Sequence, residues 1–171
     1  ERTLQQLEIQ NRSYFCPCSR KQLLERKGLH LNTCSKHLLN KNDVSTYAIK
    51  FLIPETRFNW DDGILGELSI SCVEDFVLKR KEGFYAYQLA VVSDDIAQNI
   101  THVVRGSDLL DSTPMQLALY EALDTKAPKF SHFPVLLNEQ NQKLSKQTYA
   151  QAVNNQTPLQ NLLTLFTLMN L

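Results

Sequence analysis

Glycine is scarce in this chain. Five occur, at positions 28, 63, 66, 83 and 106, and no two stand at the spacing of a phosphate-cradling loop, so any nucleotide site here is incomplete. An excess of either charge is also lacking. Lys plus Arg and Asp plus Glu number 18 each, so no bulk positive field advertises nucleic acid, and any such surface must be local. Long apolar runs are missing too: the longest tract, 162–171, carries polar interruptions and is too short to span a bilayer. No charged, apolar, small-residue signal opens the chain, and a soluble, cytoplasmic protein is expected. What is present is an apolar fraction of 43% in 171 residues, enough to bury one real core.

The most informative stretch is Thr101-His102-Val103-Val104-Arg105-Gly106-Ser107-Asp108. A β-branched run ends at Arg105-Gly106, which delivers the arginine at the carboxyl end of what reads as a buried strand. In open α/β sheets ligands sit at that edge. In Asp111-Ser112-Thr113-Pro114-Met115-Gln116, Thr113 reads as an N-cap, Pro114 as the first helical residue and Gln116 as the closing member of a capping box. Met115, Ala118, Leu119, Ala122 and Leu123 then give a helical stripe. Upstream, residues 87–99 are apolar on both faces and are assigned to a helix on length.

Near the start, residues 1–10 read as a helix, and Ser19 caps a short one that Gly28 ends. Cys16, Cys18 and Cys34 with one imidazole supply the donors of a closed tetrahedral zinc site. His30 and His37 compete for the nitrogen position. Arg20, Lys21, Lys36 and Lys41 stand close enough in sequence to offset the thiolate charge. Cys72, in an apolar setting, reads as core. Residues 47–53 read as a strand stopped by Pro54, and 57–70 as a hairpin about Asp61-Asp62-Gly63. The pairs Asp61-Asp62 and Asp94-Asp95 are assigned no chemistry, since a turn and a solvated helix end account for them.

After an apolar run at 130–137, the loop 138–142 delivers Lys143-Leu144-Ser145-Lys146, two ammonium groups flanking a hydroxyl, which suits a polyphosphate. Asn138 or Asn141 must supply any left-handed residue in that loop. A last helix opens at Thr157-Pro158, with Leu159, Leu162, Leu163, Phe166 and Met169 in one stripe that is expected to be partly uncovered.

Tyr87-Gln88-Leu89-Ala90-Val91-Val92-Ser93-Asp94-Asp95 and Thr101-His102-Val103-Val104-Arg105-Gly106 together resemble the glutamate-binding half of the class I glutamyl-tRNA synthetase catalytic domain. Ser107-Asp108-Leu109-Leu110-Asp111-Ser112-Thr113-Pro114 and Lys143-Leu144-Ser145-Lys146-Gln147 are similar to the short glutamyl-queuosine tRNA(Asp) synthetases, paralogues without an anticodon-binding domain. The resemblance covers nearly the whole chain. It implies an α/β fold, the C-terminal portion of a Rossmann-like class I aminoacyl-tRNA synthetase catalytic domain. A helix and zinc-binding insertion would occupy residues 1–43, a β-rich connector 44–74, and the second half of the nucleotide-binding fold 75–171.

The same resemblance implies that Tyr87 and Arg105 hold a glutamate carboxylate, the arginine by a planar two-point pairing, and that Lys143 and Lys146 contact the phosphates of ATP carried with Mg2+, Lys146 catalytically. It favours His30 over His37 beside Cys16, Cys18 and Cys34 as zinc ligands, because the family's non-cysteine ligand stands four residues before the last cysteine. The implied partners are glutamate, ATP and tRNA(Asp), with no DNA or membrane and a monomeric state. The implied reaction is ATP-dependent formation of glutamyl adenylate, followed by transfer to queuosine in the anticodon. The family's motif of two histidines around a glycine is absent, since the histidines stand at 30, 37, 102 and 132. The first third of the family's domain is therefore expected to be missing, and this chain alone to be inactive. A piece of an ordinary glutamyl-tRNA synthetase, or a zinc-stabilised RNA-binding module without chemistry, are the competing readings.

Overall fold

The structure is a computed structural model that describes residues 1–25, 46–54, 56–72, 74–138, 140, 142–145 and 152–169. These form two compact units, 1–134 and 135–171.

The first unit opens with α1 (Arg2–Ile9), whose Leu4 and Leu7 turn inward while Ile9 stays exposed. Next come β1 (Ser13–Cys16) and the short α2 (Arg20–Glu25). Ser19 caps α2 reciprocally: its Oγ accepts from the Gln22 amide at 3.2 Å, and its own amide donates to Gln22 Oε1 at 2.8 Å. β2 (Ala48–Phe51) pairs antiparallel with β1 and with β5 (Phe76–Lys79), giving a three-stranded sheet in the order β1-β2-β5. Between β2 and β5 the chain makes the hairpin of β3 (Thr56–Asp62) and β4 (Gly66–Cys72). Gly66 has φ +76°, a backbone conformation that suits glycine at the foot of this turn.

Helix α3 (Tyr87–Gln98) matches the helix expected on length and ends at Asn99 in the left-handed region. Strand β6 (His102–Gly106), a 3-10 segment (Ser107–Ser112), α4 (Thr113–Ala122) and β7 (Lys129–Phe133) form a β-α-β unit in which β6 and β7 run parallel, with Arg105 opposite His132. This parallel pair is the α/β element of the fold. The main core gathers Leu7, Phe51, Leu78, Val92, Leu119 and Phe130, with Cys72 among them as expected.

The structure departs from two local expectations. Strand β6 is not buried throughout: Val103 and Arg105 face inward, whereas His102 and Val104 alternate outward and Val104 is 66% exposed. Period-two alternation with one covered face explains this. Thr113 and Gln116 make no capping box. The 3-10 segment runs straight into α4, and the Thr113 amide bonds to the Leu110 carbonyl, so the helix start has backbone partners and those side chains are released for other work.

In the second unit, the backbone around the lysine loop closes as a hairpin, with Leu137 bridged to Lys143 and the Leu144 amide donating to the Leu136 carbonyl at 2.8 Å. Asn138 serves the turn through its side chain, its Oδ1 accepting from the Gln140 and Gln142 amides at 3.0 and 2.8 Å. Helix α5 (Pro158–Met169) leaves Leu159, Leu162, Leu163 and Phe166 exposed. Among the described residues no helix is long and apolar enough to cross a membrane.

Candidate substrate-carboxylate site

The site is built on the end of β6. Arg105 is 9% exposed, and its guanidinium is gripped along one edge and one side. Nε donates to His132 Nε2 at 3.0 Å, one terminal nitrogen to Gln116 Oε1 at 2.8 Å, and the other to Thr113 Oγ1 at 2.7 Å. The Phe130 ring lies 5.1 Å from the guanidinium carbon. Thr113 and Gln116 reach the same group because three residues along a helix restore the same face. Tyr87 stands half-exposed on the first turn of α3, near enough for its phenol to act electrostatically on Arg105.

The partners of Arg105 are themselves held. Gln116 Nε2 donates to Gln88 Oε1 at 2.8 Å, and Gln88 Nε2 to Ser112 Oγ at 3.0 Å, so neither amide can turn over without losing a bond at each end. His132 is fully buried, and its Nδ1 lies 2.6 Å from Asp62 Oδ2. Oδ1 of Asp62 accepts three amides, from His132 at 3.0 Å and from Ile64 and Leu65 at 3.1 Å. Burial by itself would raise the Asp62 carboxyl, but the bonds from the His132 ring and amide and from Leu65 and Ile64 outweigh it and hold the group well below the usual carboxylate range. Tyr120 donates to Asp95 at 3.0 Å, and burial together with that carboxylate pushes its phenol well up.

Each of the three acceptors that bind Arg105 is neutral. Among the described residues no carboxylate lies within ion-pair distance of it. Burial lowers its pKa, and the Tyr87 phenol, Asp95 and Tyr120 draw it back. Guanidinium carries five N–H donors in a rigid fork; with one used on each nitrogen, each terminal nitrogen keeps a second. Those two N–H groups and the Tyr87 hydroxyl are the donors available to an incoming anion, and a planar carboxylate matches them.

Tyr87 and Arg105, which the resemblance pairs, lie near enough for the phenol to act on the guanidinium. Asp62, Thr113, Gln116 and His132 were not read as parts of a site. The Phe130-Ser131-His132-Phe133 alternation puts His132 on the covered face of a strand, where an imidazole needs polar partners, and that signal was available. Nothing in the sequence links Asp62 to a residue 70 positions away. The turn reading of Asp62 is incomplete, and Asp95 is half-buried on Tyr120 rather than a solvated charge.

Of the expected zinc ligands, Cys16 and Cys18 are buried in one cluster with Tyr14, against which Leu23 and Leu52 pack. Burial is the first cause that pushes the Cys16 thiol up. Two adjacent thiols in so dry a place fit one half of a thiolate metal site. His30, His37 and Cys34 lie outside the described residues, and no group of three or more metal donors is found among those described. The neighbouring cations are ones the sequence did not single out: the charge of Lys50 acts on Cys16, and Lys81 donates to the Pro17 carbonyl. Lys21 instead stands exposed, 4.0 Å from Glu25. Lys36 and Lys41 are not described. Lys143 is exposed in the second unit, and Lys146 lies outside the described residues.

The model of the family described as tRNA synthetases class I (E and Q), catalytic domain, matches residues 5–169. A glutamyl-Q tRNA(Asp) synthetase of Idiomarina loihiensis is 41% identical over 165 residues, 94% of this chain and 57% of that protein. The enzyme of the same name from Shewanella oneidensis is 40% identical over 158 residues, 91% of this chain and 52% of that protein. The crystal structure of a glutamate tRNA ligase from Elizabethkingia meningosepticum in complex with its amino acid superposes with a TM-score of 0.71 at 28% identity, covering 85% of this chain and 34% of that one. The chain spans about half the length of the curated relatives it matches. With a parallel β-α-β unit at its centre and this match over nearly its whole length, the chain belongs to the class I tRNA synthetase (E and Q) catalytic-domain family.

Proposed function

We propose that the protein activates glutamate with ATP and passes the glutamyl group to queuosine in the anticodon of tRNA(Asp), acting as a monomer. The observation that carries this reading is Arg105, a buried cation whose direct partners are neutral and whose remaining fork suits a carboxylate. Tyr87 and Arg105 hold a carboxylate of glutamate, and Lys143 and Lys146 meet the phosphates of ATP, bound with Mg2+. A carboxylate oxygen attacks the α-phosphorus and pyrophosphate leaves with the electron pair. No enzyme nucleophile takes part, so positioning and charge stabilisation lower the barrier. Cys16, Cys18, His30 and Cys34 hold a structural zinc, which supplies a crosslink and no chemistry.

The names of the relatives support the queuosine branch. The test uses the protein expressed from its complete reading frame and labelled glutamate. Label should pass to tRNA(Asp) bearing queuosine and not to the same tRNA without it, while the 171-residue chain alone, lacking the two-histidine motif, gives no adenylate. Label passing instead to tRNA(Glu) would favour an ordinary glutamyl-tRNA synthetase. Tight tRNA binding with no glutamate-dependent ATP cleavage by the complete protein would favour the non-catalytic module.

A further inference from the structure

The contacts behind Arg105 form a directed chain whose sense is fixed at both ends. Arginine keeps its Nε proton at any pH a protein survives, so at the 3.0 Å contact His132 Nε2 is the acceptor and carries no proton. The single ring proton is then on Nδ1, donated to Asp62 Oδ2 at 2.6 Å. The Thr113 hydroxyl, 3.2 Å from the same Nε2, accepts from Arg105 and leaves that assignment unchanged. At the far end, Asp62 Oδ1 is committed to the amides of His132, Ile64 and Leu65, so only Oδ2 faces the ring.

We infer that Asp62 and His132 are positioning residues for the substrate carboxylate: Asp62 selects the Nδ1–H tautomer of His132, and the bare Nε2 sets the plane in which Arg105 presents its fork. The inference rests on reading Arg105 as the glutamate carboxylate receptor. The hairpin of β3 and β4 thereby acts on Arg105 through one histidine.

The geometry makes an isosteric change decisive. In Asp62→Asn the carbonyl oxygen must stay where three amides point, so the NH2 group turns to His132 Nδ1 and donates. The ring then carries its proton on Nε2, which faces the Nε–H of Arg105 at 3.0 Å, donor against donor. No volume or side-chain shape has changed.

The experiment pairs two readouts on the protein from its complete reading frame: long-range proton–nitrogen correlation spectra of labelled histidine, and glutamate and ATP KM in pyrophosphate exchange. The wild type should show His132 with its proton on Nδ1. Asp62→Asn should move it to Nε2 and raise the glutamate KM about tenfold or more, with the ATP KM within about twofold. A wild-type His132 protonated on Nε2, an unswitched Asp62→Asn, or a switched variant with unchanged glutamate KM would each overturn the inference. If Asp62→Asn does not fold, the wild-type tautomer decides alone. A wild type without glutamate-dependent exchange would overturn the proposed function instead, and the two spectra would then decide whether the relay exists.

Discussion

Arg105 is held on each guanidinium nitrogen, yet none of its direct partners carries a charge. Burying a cation that way is costly unless an anion arrives, and this is the physical reason to read the site as a receptor rather than a structural tie. The compensating charge is displaced to Asp62, one imidazole away. Because the folded-state carboxyl of Asp62 is depressed, its contribution to stability is complete above its unfolded pKa, about 3.9, and is lost as pH falls through and below that value. Asp62→Asn should therefore lower stability at neutral pH by about 1.5–3 kcal/mol. The difference from wild type should shrink steadily between pH 5 and pH 2 (roughly the window in which such a carboxylate titrates) in urea unfolding followed by circular dichroism. Parallel stability curves over that window would mean that Asp62 carries no buried charge of consequence.

At the scale of elements, the hairpin of β3 and β4 reaches the site by close backbone approach. The Gly63 amide donates to the Phe130 carbonyl at 2.9 Å, and a Cβ built on Gly63 would stand 2.3 Å from Ser131 Oγ but an ordinary 3.5 Å from Ser131 Cβ. Gly63→Ala should thus drive the Ser131 hydroxyl into another rotamer at a cost of about 1 kcal/mol or less, and that cost should return in Gly63→Ala with Ser131→Ala. Additive losses in the double-mutant cycle would show that the turn does not pack as described. The elements themselves were legible, because periodicity, Ser19 capping and the Asp-Gly turn are local signals. The use of Thr113 and Gln116 was not: capping and gripping an arginine need the same three-residue spacing, and only the 3-10 segment feeding α4 decides between them.

Across the whole molecule, Tyr87 and Arg105 could be read together only through the family resemblance, since sequence order places an arginine at a strand end but gives it no tyrosine. The support behind them could not, since Asp62 and His132 meet only through packing of separate strands. The thiol pair at Cys16 and Cys18 belongs to this scale as well, because a metal there would clamp the first sheet to the segment that follows β1. One zinc per chain is the expected elemental analysis of protein purified without chelator. Cys18→Ser should lose it and lower the melting temperature by about 5 °C or more, the equivalent of roughly 2 kcal/mol at this size. A metal-free protein of unchanged melting temperature would remove the zinc proposal while leaving the carboxylate site intact. That site is tested most directly by glutamate-dependent pyrophosphate exchange with wild type and Arg105→Lys, both from the complete reading frame. Lysine keeps the charge and loses the fork, so kcat/KM for glutamate should fall about 100-fold, near 2.7 kcal/mol, with ATP handling little changed. A loss of less than about threefold would contradict the assignment of Arg105 as the carboxylate receptor.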